Sequence, residues 1–284
     1  MIIDLLNKLA YLILWLISLI NLSLLYPLSY LISLIINYRK EIILNNISNA
    51  FNKKTDFQIN KISKGFYFYF TRILFEIIKM ISSKKSFYKK RVKITNPEIL
   101  ENYFNDNQSV ILLMGHHNNW EWAGQKIAIS CNQDFISVYK KLSNRFFNTL
   151  MKKIRSKFGA IPIEINDLIK YIYNDNEIKV IGLIADQNPS VNSTTYWSSF
   201  FNRQVPVIDG PEKIARKMNY PVLFCNMSKI KNGYYSITFE LIEEKPKNTD
   251  LGYITNNFIK RLEDKIIEEP NSYLWSHNRW KHKK

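Results

Sequence analysis

The sequence is poor in residues that staple, hinge or ligate. Cys131 and Cys225 are its only cysteines, far apart and each inside an apolar stretch. That excludes a disulfide framework and any cysteine-based metal spacing, and it points to a reducing compartment. No Gly/Ser-rich linker divides the chain and no internal repeat is present, so one large domain, alone or with an attached anchor, suits its 284 residues. Acidic side chains are also short: 24 Asp plus Glu against 40 Lys plus Arg leave a formal charge of +16. Such an excess implies an anionic partner, whether nucleic acid, anionic lipid headgroups or an acidic protein. The charge is dispersed and no nucleic-acid motif accompanies it, which argues against nucleic acid. A hydrophobic content of 46% is ample for a core and excludes wholesale disorder.

Charge is missing altogether from Leu9 to Tyr38, LAYLILWLISLINLSLLYPLSYLISLIINY. About twenty apolar residues span a bilayer core of roughly 30 Å. Residues 1–40 therefore read as a membrane anchor, with Pro27 expected to kink it or divide it into a spanning and an interfacial part. A cleaved signal peptide fits poorly, because Asp4 precedes Lys8 and no small-residue cleavage site comes after the apolar run. Ser18, Asn21, Ser29, Ser33 and Asn37 share one helical face, expected to meet protein or the lipid interface. A buried core helix is the plainer alternative. The basic pair Arg39-Lys40 then places the body, residues 41–284, on the cytoplasmic face.

Within the body, Glu41–Phe51 and Phe57–Ile81 read as helices, the second from apolar residues three and four apart. Lys84–Lys93 reads as a basic, polar connection that closes a helical lead-in, residues 41–94. In residues 95–284 short apolar runs alternate with helical patterns. Predicted strands are Val110–Met114, Phe135–Tyr139, Ala160–Ile163, Val180–Ala185, Pro221–Met227 and Tyr234–Glu240. Predicted helices are Glu121–Ile129, Arg145–Lys157, Leu168–Tyr173, Pro211–Met218 and Tyr253–Glu268. The alternation predicts an α/β sandwich with a mostly parallel central sheet. Chemistry in such sheets sits outside the carboxyl ends of strands, which directs attention to the residues just after Val110–Met114 and Val180–Ala185.

After the first of these strands comes Gly115-His116-His117-Asn118-Asn119-Trp120-Glu121-Trp122, holding two of the chain's four histidines. An imidazole at a sheet mouth can take a proton from an alcohol, and a carboxylate can fix its tautomer and stabilise the imidazolium. Amides at a helix N-terminus there can support a developing oxyanion. The bland reading makes the histidines turn residues that cap a helix. A helix beginning early would instead pair His117 with Glu121 at i,i+4. Zinc is a weaker reading, since the spacing is not His-Glu-x-x-His and no third ligand is evident.

Gly115-His116-x-x-Asn119-Trp120-Glu121 resembles the His-x4-Asp/Glu signature of the lysophospholipid acyltransferase superfamily. More narrowly it resembles the Gly-His-x-Gly-Asn-Trp-Glu form of the late acyltransferases of bacterial lipid A biosynthesis. Other blocks agree in order along almost the whole chain. Tyr139-Lys140-Lys141-Leu142, with Arg155-Ser156-Lys157-Phe158-Gly159 after it, is similar to the family's second block. Ala185-Asp186-Gln187-Asn188-Pro189 is similar to its Asp-Gln element, and Phe200-Phe201-Asn202-Arg203 through Gly210-Pro211-Glu212 to the segment after it. Tyr273-Leu274-Trp275-Ser276-His277-Asn278-Arg279-Trp280-Lys281 resembles the closing block. Asn118 stands where glycine is usual, and a polar side chain in that turn is expected to narrow the site.

The resemblance implies a glycerolipid-acyltransferase-like fold with an N-terminal membrane helix, in a bacterial inner membrane. It also implies that His116 is the general base and that Glu121 orients and charges it. Arg155 would hold a phosphate or polarise a thioester carbonyl, its plainer alternative being a solvated helix residue among lysines. Asp186 and Gln187 would support the site, with an N-cap role as the alternative for Asp186, and Asn119 is carried over with them. Arg203 and the Gly210-Pro211-Glu212 turn would shape the lipid-acceptor side. Tyr196-Trp197 and Phe200-Phe201 are read equally as an acyl groove or as core, and His277 as structural. The implied reaction moves a fatty acyl chain from acyl carrier protein to a hydroxyl of a lipid A precursor. It needs no metal and no resident cofactor, because phosphopantetheine arrives with the donor. The same chemistry would serve another lipid acceptor, such as a glycerophospholipid or an aminolipid.

Overall fold

The charge-free N-terminal run forms two helices rather than one. The computed structural model describes residues 2–175, 177–189 and 196–282. In it α1 (Ile2–Leu19) and α2 (Leu22–Ile35) meet at a bend of 114°. The break falls at Asn21, whose side chain accepts from the Ser23 amide and caps α2, while Pro27 lies inside α2. The expected division at Pro27 is thus corrected: the N-cap fixes where the second helix starts. Among the described residues no single helix is long and apolar enough to cross a membrane, although the bent pair reaches that length together. Ser18 and Ser29 face the protein. The Ser18 carbonyl accepts from Lys79 Nζ (2.7 Å) and Ser82 Oγ (2.6 Å), and the Ser29 carbonyl accepts from Thr71 Oγ1 (2.9 Å).

The lead-in consists of α3 (Lys40–Ala50) and α4 (Asp56–Lys79), the latter opened by a capping box of Thr55 with Gln58. Ile59, Ile62, Phe66 and Ile73 bury the periodic face of α4. The supposed connection at residues 84–93 is instead α5 (Lys85–Arg91) running into β1 (Val92–Ile94). Its lysines are mostly exposed, but Tyr88 is fully buried edge-on to Trp122, and Val92 pairs with Tyr235. Aromatic burial outweighs the charge there.

Next along the chain are α6 (Glu98–Asn105), β2 (Val110–Met114), α7 (Trp120–Ser130), β3 (Asp134–Tyr139) and α8 (Arg145–Arg155). They lead to β4 (Ile161–Glu164), α9 (Leu168–Asn174), β5 (Lys179–Ile184), β6 (Tyr196–Phe200), β7 (Arg203–Val207) and α10 (Gly210–Met218). The chain then continues through β8 (Val222–Lys231), β9 (Tyr234–Glu243) and α11 (Tyr253–Glu268). Every predicted strand is present. Seven strands form the central sheet in the order β1-β9-β8-β2-β5-β3-β4, parallel throughout except where β8 and β9 pair as a hairpin. The α/β class and the mostly parallel sheet hold.

β2, fully buried at the centre, shows why its sequence is apolar without interruption. Ile111 and Leu113 pack into the core layer containing α4 and α11, while Val110, Leu112 and Met114 pack into the layer containing α5 and α7. β6 and β7 form a separate two-stranded hairpin absent from the predicted strands. Its turn residues Phe201 and Asn202 both have positive φ (51° and 58°), a turn usually signalled by Asn-Gly. Phe200 and Phe201 are core, packed on Trp280 and Trp275.

Candidate active site

β2 and β5 are parallel neighbours, so their carboxyl ends open at the same edge, with the Ala185 amide donating to the Met114 carbonyl at 3.1 Å. His116 lies just past β2 and Asp186 just past β5. Nδ1 of His116 lies 2.7 Å from Oδ1 of Asp186. The imidazole keeps 19% of its surface exposed, whereas the carboxylate is almost wholly buried. Burial by itself raises the Asp186 carboxyl, but the imidazole and the backbone N–H of His116 outweigh it and hold that carboxyl below the ordinary range. With Nδ1 committed to an ionised carboxylate, Nε2 is the nitrogen left for a hydroxyl. Trp120 stands edge-on to the ring, centroids 4.8 Å apart, and restricts its rotation.

Glu121 has a different partner. Arg155 grips it with two parallel bonds, Nη2 to Oε1 at 2.5 Å and Nε to Oε2 at 3.0 Å. Burial pushes the Glu121 carboxyl up, yet the Arg155 guanidinium, aided by nearby His116, brings it below its usual value. Sequence reasoning placed Glu121 on the histidine; the imidazole donates instead to Asp186, and Glu121 meets its charge only through space. Gln125 Nε2 donates to the Ile154 and Arg155 carbonyls, fastening α7 to the end of α8.

A narrow cleft of about 40 Å³, open to solvent on one side, is lined in part by Glu121 and Arg155. Its walls are apolar, with Met114, Trp120, Phe135, Val138 and Ile184 among them.

The turn itself is built tightly. A Cβ on Gly115 would come within 2.5 Å of the buried Leu262 of α11. Asn118 has φ 55°, a left-handed conformation that glycine adopts freely and asparagine tolerates best among other residues. Its amide donates to the Met227 carbonyl (2.9 Å) and to Glu269 (3.1 Å), and it is fully buried. The expectation that Asn118 narrows the site is therefore corrected: its side chain points into the protein. His117 is also turned away, with Nε2 toward the Glu269 carbonyl at 3.3 Å, and does not pair with Glu121. Asn119 caps α7 by accepting from the Trp122 amide and donates to Glu76, so both ends of its side chain are used inside the protein.

The closing block threads behind His116 and Asp186. The backbone amide of Leu274 donates to the His116 carbonyl (3.0 Å) and that of Asn118 to the Ser272 carbonyl (2.8 Å), while the buried Tyr273 hydroxyl, pushed up by burial and by the negative charge of Asp186, lies near that carboxylate. His277 Nε2 accepts from the Asn188 amide at 3.1 Å, and Arg279 reaches the Asn188 side chain and the Pro206 carbonyl. Tyr273 and Trp120 were legible only as parts of larger motifs, not as site residues. Gln187 is half-buried beside Asp186. Arg203 is exposed at the tip of the β6–β7 hairpin, and no contact joins it to the cluster among the described residues. Glu212 is buried and accepts from the Gly252 and Thr255 amides, bracing the start of α11.

A buried carboxylate behind a partly open histidine, beside an apolar cleft, suits the acyltransferases that act on hydroxyl groups. The profile of the bacterial lipid A biosynthesis acyltransferase family matches residues 5–282, and the chain belongs to that family. It is an acyltransferase enzyme of lipid A biosynthesis. Compared one by one, no curated protein matches it.

Proposed function

We propose that the protein transfers a fatty acyl chain from acyl carrier protein to a hydroxyl on a lipid A precursor, a secondary acylation, with His116 as general base. The observation that carries this reading is the 2.7 Å hydrogen bond between His116 Nδ1 and Asp186, which leaves Nε2 for the acceptor on a ring that is partly exposed at the sheet edge. Nε2 takes the proton of the acceptor hydroxyl as its oxygen adds to the thioester carbonyl. The tetrahedral oxyanion then collapses, the carbon–sulfur bond breaks, and the imidazolium returns the proton to the departing thiolate. Ester and free thiol are the products. Asp186 stabilises the imidazolium; Glu121 adds negative potential and holds Arg155 where it can face the donor carbonyl or a phosphate. The acyl chain enters by the apolar cleft, which must widen to take its length. Neither a metal nor a resident cofactor takes part.

Lys140, Lys141, Arg145, Lys152 and Lys153 are exposed around α8, and the chain carries +16 overall. Both features favour an acidic carrier and a phosphorylated acceptor. The bent pair α1–α2 holds the body on the cytoplasmic face of the inner membrane among membrane lipids.

Mass spectrometry of lipid A from a strain lacking the gene, complemented with wild type or His116→Ala, tests this reading. The expected result is loss of one acyl chain, restored by wild type alone. Unchanged lipid A would move the acceptor to another lipid, and purified enzyme inert toward acyl carrier thioesters would overturn the donor.

A further inference from the structure

Behind the catalytic turn lies a buried polar cluster that the reaction does not consume. Glu76 of α4 has no exposed surface. Its Oε1 accepts from the Tyr26 hydroxyl of α2 at 3.0 Å. Its Oε2 accepts from the Tyr235 hydroxyl of β9 at 2.7 Å and from Asn119 Nδ2 at 2.6 Å. Arg72, one turn earlier, brings Nε to 3.6 Å from Oε1. The backbone carbonyl of Glu76 accepts the Trp122 indole N–H at 3.0 Å.

An apolar side chain at position 76 would pack α4 without any desolvation cost, whereas a buried carboxylate costs free energy unless donors satisfy it. Here donors from three separate elements converge on one group. Such bonds are directional, so they fix relative position more sharply than apolar contact does. Two of the contacts, to Asn119 and Trp122, grip the first turn of α7. Between the gripped residues lie Trp120, edge-on to His116, and Glu121, which holds Arg155. A third contact, from Tyr26, comes from the N-terminal helix pair.

We propose that Glu76 is a positioning residue for His116, acting through Asn119 and the first turn of α7, and that Tyr26 ties this positioning to the seating of the N-terminal helices. The proposal rests on the reading of His116 as the base. When α2 shifts on α4 the Tyr26 hydroxyl leaves Oε1, the carboxylate rotates, and the cap on α7 loosens. The N-terminal pair is then a working part of the catalytic frame as well as an attachment.

The test uses full-length enzyme in phospholipid vesicles, comparing wild type with Tyr26→Phe, Glu76→Gln, Asn119→Ala and the Tyr26→Phe/Asn119→Ala double variant. Tyr26→Phe keeps the ring and its packing, so it removes the hydroxyl without threatening the fold. Misplacing a reacting group by ~1 Å costs on the order of 100-fold, and a loosened cap should cost about tenfold in kcat with KM for the thioester unchanged. The double variant should be no slower than Asn119→Ala alone, because both act through Glu76. Amide exchange at Trp122, the N–H that Asn119 caps, should quicken in Tyr26→Phe and Glu76→Gln while Leu112 in β2 stays protected. Wild-type kcat and wild-type Trp122 exchange in Tyr26→Phe would overturn the proposal, as would losses that multiply in the double variant. If the wild type lacked acyltransferase activity, the functional reading would fall. The exchange arm would still decide the coupling, quickened exchange supporting it and unchanged exchange overturning it.

Discussion

His116 and Asp186 are seventy residues apart in sequence yet joined by one 2.7 Å hydrogen bond across the ends of two adjacent parallel strands. The carboxylate is the buried member and the imidazole the partly open one, so in the proposed mechanism the acid orients and the base reacts. Asp186→Asn keeps the shape but removes the charge, and its amide can present a donor that imposes the wrong tautomer. It should lower kcat on the order of 10²–10⁴-fold with KM little changed, close to the loss for His116→Ala. Steady-state kinetics with an acyl carrier thioester check this, and near-wild-type turnover would refute the assigned role.

Glu121 and Arg155 form a bidentate pair whose acid is buried and whose base is one-fifth exposed. Arg155→Lys cannot reproduce the fork, and Arg155→Gln leaves a buried carboxylate alone. Breaking a fully buried pair costs roughly 3–5 kcal/mol, and the partial exposure of Arg155 lowers the expected figure to about 2–3 kcal/mol. Adding Glu121→Gln to Arg155→Gln should recover part of that stability but none of the activity. Denaturant unfolding of the four proteins in this cycle reads the coupling directly, and strict additivity would mean that the pair is not one unit.

Asn118 sits at φ 55° with its amide bonded inside the protein. Asn118→Gly keeps the conformation and loses the bonds; Asn118→Ala loses both. The difference in unfolding free energy between the two variants should be about 1–2 kcal/mol, the cost of a left-handed alanine. Activity per folded molecule of Asn118→Gly should match wild type, because the side chain never faces substrate.

His277 supplies a pH dependence of stability. Burial, aided by the positive charge of nearby Arg279, pushes its imidazole down to about 4, and the neutral ring accepts the Asn188 amide at Nε2. Its unfolded value is about 6.5, so the unfolded chain takes up the proton first. The stability that neutral His277 contributes is complete above pH ~6.5 and is lost as pH falls toward 4, by at most about 1.4 kcal/mol per unit. His277→Asn should flatten the decline in Tm over that window. Asp186 and Glu121, both held below the ordinary carboxylate range, lose their contribution only at lower pH, as the solution passes through their folded values.

The β2 run VILLM was legible as a buried strand because both faces of the central sheet are covered, and the motif after it led to His116. The acid that bonds His116 was legible only as a second candidate. Five-residue spacing brings Glu121 near the histidine in sequence, but strand pairing, not spacing, decides that Asp186 reaches Nδ1. Glu76 went unread for the same reason: one acid on an apolar helix carries no motif, and its donors arrive from α2, β9 and the cap of α7. β1 has three residues, and the β6–β7 turn uses phenylalanine where Asn-Gly would have announced it. Both rest on tertiary pairing that local pattern does not carry.

The N-terminal pair makes the last prediction. Leu9, Leu12 and Leu16 of α1 each expose about half their surface, as do Leu28 and Leu31 of α2. Fully burying a leucine is worth roughly 1.5–3 kcal/mol, so each half-exposed leucine gains about 1 kcal/mol on entering lipid. A lysine near the centre of a bilayer costs about 2.5–3.5 kcal/mol, and less at its interface. Leu9→Lys/Leu16→Lys should therefore move the protein from sedimented vesicles into the supernatant. The folded body should keep its Tm, because neither leucine belongs to the buried core. Retention of the double variant on vesicles at wild-type levels would mean that the exposed face of α1 is not what meets the membrane. Release accompanied by a fall in kcat would link attachment to turnover, the direction in which the Tyr26 contact with Glu76 points.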